Sequence, residues 1–269
     1  MGSAIGRYHP RVSRTASQAA VIELLRHGRP GRMLDIPSGG GPVVDEAQRL
    51  GYEVIELDLF PRADMRGVQA DACASLPFHD GAFDVVVSME GIEHFENQTG
   101  FLRECARVLR PGGRLVITTP NVMHLSTRVA VFLTGQRVLK QGFVNEVSTL
   151  RSREGSRLYH GHAYLIDVFR LRYILRVIGL KRAQLRFCEL SPSSALMAPA
   201  LPAIWIATRW SLFTGRRRLQ KAKRQFPPPE VESELTQLAI SPALLFGKKL
   251  VLVAEKPLGA REPISVPAV

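Results

Sequence analysis

The chain has 269 residues, 45% of them apolar, and its 36 Lys and Arg against 24 Asp and Glu leave a formal net charge of +12. That length suits one α/β domain with insertions or one domain plus a small appendage, with enough apolar residues for a sizeable core. Cys73, Cys105 and Cys188 follow no metal or redox spacing, and no long apolar run opens the chain, so no secretory leader is visible and a reducing cytoplasm is expected. Gly2 fails as a myristoylation site because position 6 is Gly6. The basic excess bears on partners rather than fold. It points to nucleic acid, an anionic membrane surface or an acidic substrate.

Residues 16–27 predict an amphipathic helix with Ala20, Leu24 and Leu25 on one side, broken by Pro30-Gly31. Residues 32–36 are short and apolar, a central strand. A helix over 43–50 stops at Gly51, and strands follow over 52–57, 68–71 and 83–88. Phe101, Leu102, Cys105, Val108 and Leu109 then recur at helical spacing, which makes Cys105 a core thiol. Pro111-Gly112-Gly113 turns the chain into a strand over 114–119. Alternating strands and helices mean right-handed βαβ units and a parallel sheet. Residues 122–156 read as a partly helical insertion over the sheet's C-terminal edge. Residues 165–178 predict a helix, and 185–187 with 249–254 complete the sheet as a hairpin-like pair. No charge occurs from Ser191 to Thr208, and a basic run from Arg216 to Arg224 follows.

The chemistry gathers at the strand tips. The turn Asp35-Ile36-Pro37-Ser38-Gly39-Gly40-Gly41 follows a buried strand and lets backbone approach a ligand at a helix N-terminus. Asp58, about 20 residues past that turn, can take both hydroxyls of a ribose bidentately. The dinucleotide-binding fingerprint of dehydrogenases needs a third glycine where Val44 stands. Asp71 ends the third strand. Ser88-Met89-Glu90-Gly91-Ile92-Glu93-His94 follows the fourth, and Glu90 and Glu93 share one helical face if that turn is helical. Carboxylates and imidazole there suit Mg²⁺, Mn²⁺ or a similar ion. A further pair, His160-Gly161-His162, precedes the helix at 165–178.

In this order, with Arg110-Pro111-Gly112-Gly113 closing the series, these elements resemble the class I S-adenosylmethionine-dependent methyltransferases, in particular the type 11 and quinone-biosynthesis O-methyltransferase-like group. The resemblance implies an α/β, Rossmann-like seven-stranded sheet with its last strand antiparallel and an inserted helical lid. The expected organisation is an N-terminal helix over 1–30, the methyltransferase domain over 31–190 and 245–257, an apolar and basic helical insertion over 191–244, and a disordered tail over 258–269. S-adenosylmethionine is the implied cofactor, bound by Asp35, Pro37, Gly39, Gly41, Asp58, Asp71, Ala72 and Met89. Pro37 stands where the family usually has its first glycine, and proline fixes φ and removes an N–H.

The resemblance extends to two branches, catechol O-methyltransferases of quinone biosynthesis and terminal 2′-O-methyltransferases of small RNA. In both, two glutamates and a histidine hold a divalent cation, which here would be Glu90, Glu93 and His94, with His162 as fourth ligand or base and Mg²⁺ as the candidate ion. His94, Glu93 and His162 are the expected catalytic residues. The implied reaction is O-methylation of a quinol-type, lipid-linked or glycan acceptor. RNA 2′-O-methylation and non-catalytic S-adenosylmethionine binding are the alternatives. Pro192, Pro199 and Pro202 interrupt the uncharged stretch, and Trp205, Trp210 and Phe213 lead into the basic run. This fits an element lying on an anionic leaflet, peripheral on the inner face of the membrane, or a lid packed on its own domain. The oligomeric state is not legible.

Overall fold

The structure is a computed structural model that describes residues 15–63, 65–135, 149–151, 158–160, 162–221 and 228–259. It opens on α1 (Ala16–Arg26), where Thr15 and Gln18 close a reciprocal capping box. β1 (Arg32–Asp35) leads through the glycine turn into α2 (Pro42–Arg49), followed by β2 (Glu53–Asp58), β3 (Gly67–Gln69) and β4 (Phe83–Met89). A 3-10 turn at Ile92–His94 precedes α3 (Gln98–Val108) and β5 (Leu109–Pro120). Then come α4 (Leu125–Thr134), a two-stranded hairpin of β6 (Thr149–Arg151) and β7 (Leu158–His160), α5 (Val168–Val177) and β8 (Lys181–Arg186). α6 (Pro192–Ala195), α7 (Leu201–Lys221), α8 (Pro229–Ala239) and α9 (Pro242–Phe246) fill the stretch before β9 (Lys249–Glu255).

The main sheet has seven strands in the order β3-β2-β1-β4-β5-β9-β8. β3, β2, β1, β4 and β5 pair in parallel, while β9 runs antiparallel to both β5 and β8. This is the Rossmann-like methyltransferase sheet with its last strand reversed. The chain leaves β1 to build β2 and β3 on one side, then returns to place β4 on the other. The crevice between β1 and β4 is therefore the topological switch point, where open α/β sheets take their ligands.

Alternation along the strands divides the core in two. Met33, Val85, Val87, Val116 and Val251 pack with α1 and α2 on one face. Leu34, Val86, Leu115, Ile117 and Leu252 pack with α3 and α5 on the other, together with Cys105, which is fully buried. On α1 the buried residues are Ser17, Val21, Ile22 and Leu25 rather than the stripe through Ala20 and Leu24, because the sheet takes the side one position over. β5 starts at Leu109, so Pro111-Gly112-Gly113 bends within a strand rather than preceding one. Gly112, at φ +77, donates its N–H to Lys256 O at 2.8 Å. β3 stops short of Asp71, whose Oδ1 instead accepts the Cys73 N–H at 2.8 Å and turns the chain.

Among the described residues the insertion is fastened to the body at several places, one of them the Asn121 Nδ2 donation to Leu244 O at 2.7 Å. Glu234 of α8 binds Arg172 of α5, Nε to Oε1 at 2.8 Å, and Arg176 at 2.5 Å. Around α6, Ser193 Oγ donates to Ser126 Oγ at 3.1 Å, and His124 Nδ1 lies 3.0 Å from Ser194 Oγ, which holds the start of α4 against α6. The three prolines break the apolar run as expected. Pro192 opens α6, Pro199 sits in a 3-10 turn, and Pro202 lies in the first turn of α7. Of the expected tail, only Leu258 and Gly259 lie among the described residues.

Candidate functional site

Register places the expected acids along one edge. Asp35 is paired with Glu56 on one side and Val87 on the other, and Asp58, two residues further, is paired with Gln69. All sit at carboxyl ends of neighbouring parallel strands, and Asp71 follows just beyond β3. Asp35 is buried, and that burial pushes its carboxyl up to about 7. The Ser38 hydrogen bond opposes the shift, and the nearby charges of Glu56 and Asp58 add to it. Asp58 is half-buried and raised by desolvation. Its Oδ1 accepts the Phe60 N–H at 2.7 Å. Ala72 is buried behind Asp71, and Met89 ends β4 on the far side of the switch point.

The turn between β1 and α2 is shaped to leave room. Gly41 holds φ +88 and ψ −153, a region essentially reserved for glycine, and its carbonyl starts α2 with Pro42 in the first turn. A Cβ on Gly39 or Gly41 would meet nothing within 4 Å, so the loop borders open space where a ligand can approach its backbone. Gly40 is different. A Cβ there would lie 2.2 Å from Arg62 Nη2. The Arg62 guanidinium lies over the turn, donating to Ser38 O at 3.3 Å and to Glu56 Oε2 at 3.0 Å. Ser38 Oγ donates to the same Glu56 oxygen at 2.7 Å, and the Arg66 N–H reaches Oε1 at 3.3 Å. Sequence reasoning missed this buried clasp. The one local signal was that Glu56 and Asp58, two apart on a strand, share a face.

Pro37 is accommodated from across the crevice. A Cβ on Gly91 would stand 2.3 Å from Pro37 Cδ, so the glycine after β4 supplies the space that the missing loop glycine does not.

On the acceptor side, Glu93 is fully buried. Its Oε2 accepts from Thr119 Oγ1 at 2.9 Å, while its Oε1 has no hydrogen-bond partner. Burial, then the Glu90 charge, pushes this carboxyl up to about 7. The His94 and His162 rings lie 5.1 Å apart, and ligand atoms of Glu93, His94 and His162 all fall within 4.8 Å of one another. Backbone ties bring the two segments together. The Tyr164 N–H donates to Glu93 O at 3.1 Å, and Gln98 Nε2 donates to Ile92 O at 2.9 Å and to Tyr164 O. Glu90 and His162 are both non-glycine residues with positive φ, 51 and 41, a strain of the kind concentrated at functional sites.

Glu90 departs from the expected metal set. It is not part of the Glu93–His94–His162 group: Thr118 Oγ1 donates to its Oε1 at 3.0 Å and Lys249 Nζ pairs with its Oε2 at 3.0 Å. The side chain of His160 and all of Gly161 lie outside the described residues. A buried carboxylate oxygen without a partner and two imidazoles fit a divalent transition ion. Mg²⁺, which prefers oxygen ligands, is not the ion that such a set selects.

Residues 34–117 match the family described as Methyltransferase domain. The chain is 34% identical over 113 residues to a ubiquinone biosynthesis O-methyltransferase of Xanthomonas oryzae pv. oryzae, covering 37% of this chain and 47% of that protein. It is 37% identical over 118 residues to a probable S-adenosylmethionine-dependent methyltransferase of Mycolicibacterium smegmatis, covering 39% and 45%. The chain thus spans about half the length of the curated relatives it matches. In fold it is similar to a SAM-dependent methyltransferase from Archaeoglobus fulgidus, with TM-score 0.52, 16% identity and 89% and 94% of the two chains covered.

Proposed function

Residues 34–117 form a methyltransferase domain of the class I S-adenosylmethionine-dependent kind, and from that premise we propose that the chain is an O-methyltransferase acting on a quinol-type, lipid-linked or glycan hydroxyl. The observation that carries this reading is the convergence of Glu93, His94 and His162 beside the end of β4, with one Glu93 oxygen left unpartnered. The names of relatives that methylate oxygen in ubiquinone biosynthesis support it.

The division of labour follows from the strand tips. Asp35, Asp58, Asp71 and the backbone of the glycine turn hold S-adenosylmethionine, with Asp58 on the ribose and the buried Asp35 near the cationic methionyl end. The acceptor oxygen attacks the methyl carbon in line, the carbon–sulfur bond breaks, and S-adenosylhomocysteine leaves. The hydroxyl proton passes to His94 or His162, whose rings lie 5.1 Å apart beside the end of β4. A divalent ion on Glu93, His94 and His162 would acidify a coordinated hydroxyl. Glu90, braced by Thr118 and Lys249, shapes the turn that carries these groups.

The test is incubation with S-adenosylmethionine and a panel of catechols and demethylated quinols, with detection of methyl ether and S-adenosylhomocysteine. Binding of S-adenosylhomocysteine without transfer to any hydroxyl would replace the enzyme reading with that of a cofactor-binding protein. The arrival of His162 at Glu93 favours RNA 2′-O-methylation as a second reading. Methyl transfer to the terminal ribose of small RNA, absent with catechols, would establish it.

A further inference from the structure

α7 is a 21-residue helix with two contrasting faces. Its inward stripe of Leu201, Ile204, Thr208 and Leu212 is half-buried on the insertion. The opposite face is apolar and bare. Trp210 is 67% exposed, Ile206 60%, Trp205 50% and Phe213 47%. At 100° per residue these four project within an arc of about 140°. Arg209, Arg216 and Arg217 fall within the same arc, towards the C-terminal end. Two of the rings already lie under guanidinium groups. Arg217 Cζ is 4.4 Å from the Phe213 centroid, and Arg209 Cζ is 6.0 Å from that of Trp205.

Charge is equally one-sided. No Asp or Glu occurs between Glu189 and Glu230, while every ionisable group from Arg209 to Arg224 is basic. Glu234, through Arg172 and Arg176, anchors α8 to the body, and α7 is tied to α8 by the Arg216–Glu232 pair at 3.9 Å, which leaves Arg209 and Arg217 as the arc's cations for lipid. Among the described residues no helix is long and apolar enough to cross a membrane, so α7 can lie on a bilayer but not span it.

We propose that the outward arc of α7 seats the protein on an anionic lipid bilayer surface. Trp205, Ile206, Trp210 and Phe213 enter at headgroup depth, and the arginines rest on lipid phosphates. Two physical terms act together. Aromatic and aliphatic area leaves water at the boundary with the acyl chains, and the basic end draws the helix towards a negative surface potential. Nucleic acid accounts for the cations and rings but gains nothing from Ile206. A bilayer uses all of the arc. The inference concerns docking and stands apart from which hydroxyl is methylated.

The chain has two tryptophans, Trp205 and Trp210, and both lie on this arc, so tryptophan emission reports on α7 alone. The full chain is titrated with vesicles of phosphatidylcholine containing about one third phosphatidylglycerol, and with phosphatidylcholine alone. With the anionic vesicles the emission should shift to shorter wavelength, be quenched by acyl chains brominated near the headgroup, and revert as salt is added. R209E/R217E should weaken partitioning at least ~10-fold. I206S/F213S, which keeps both tryptophans and all charges, should also abolish the shift. Both variants should keep the wild-type thermal midpoint and affinity for S-adenosylhomocysteine, which separates failed docking from failed folding or a failed methyltransferase reading. No shift with anionic vesicles at low salt, an equal shift with neutral vesicles, or a shift produced by small RNA or by protein concentration instead would overturn the proposal.

Discussion

The Pro37 ring and Gly91 are fitted to one another across the crevice between β1 and β4, leaving no room for a Cβ on Gly91. Gly91 itself sits at φ −115 and ψ −42, a backbone that alanine adopts readily. Any cost of Gly91→Ala must therefore come from the proline ring. We expect it to destabilise the protein by about 1–3 kcal/mol through overpacking. Adding Pro37→Gly should recover most of that loss. Strict additivity of the two changes in denaturant unfolding would show that the contact is not the cause.

In the proposed cofactor site, the buried Asp35 should confer a dependence on pH. Its carboxyl is raised by burial from 3.8 to about 7, so between those values the folded state holds a proton that the unfolded chain has released. Stability of the ligand-free protein therefore falls as pH rises across that window and levels off above it. Glu93, raised to about 7 by burial, adds a slope of the same sign, so Asp35→Asn should shrink the slope rather than remove it. Affinity for the cationic cofactor should move the other way and climb as Asp35 ionises, with proton release on binding below neutrality. Calorimetry in two buffers of different ionisation enthalpy reads this directly. Identical heats in both would dismiss the role given to Asp35.

Gln98 joins the segments that carry His94 and His162, bonding a carbonyl on each, Ile92 O and Tyr164 O. Gln98→Ala should cost about 0.5–1.5 kcal/mol for each bond lost. It should speed hydrogen exchange at the Tyr164 amide, which is held by Glu93 O, and lower turnover without changing affinity for S-adenosylhomocysteine. Unaltered exchange at Tyr164 would mean that the segment is held by other contacts.

His94→Ala should lower turnover by about 10²–10⁴-fold while sparing cofactor affinity. If the cluster holds a transition ion, Co²⁺ added to the wild type should give visible absorption bands. These should disappear in His94→Ala and His162→Ala but persist in Glu90→Gln, because Glu90 lies apart from the group. Bands surviving both histidine changes would place the ion elsewhere.

The parallel strands were legible because buried strands read as short apolar runs, and Asp35 and Asp58 end β1 and β2 as read, whereas Asp71 lies beyond the end of β3. Glu93, His94 and His162 were legible as residue types, and the fold brings them together. What escaped depends on contacts between distant segments. Glu90 was assigned to the metal set, but Lys249, at the head of a strand formed near the end of the described chain, claims its carboxylate. The Glu56–Arg62–Ser38 clasp needs a loop to fold back over the glycine turn, and nothing in the spacing of those residues announces it. Thr118 and Thr119 looked like ordinary strand residues, although each braces one glutamate. The β6–β7 hairpin, three residues on each side, is too short to leave a periodic trace.

β9 lies between β5 and β8, although it is the last strand of the described chain. While the chain is emerging from the ribosome, β8 has no strand to pair with and β5 presents an open edge. Lys249 is likewise missing from Glu90 until that moment. Closure of the sheet and the ion pair at Glu90 thus both depend on β9. A nascent chain stalled before residue 249 would expose two unpaired strands to chaperones or to aggregation.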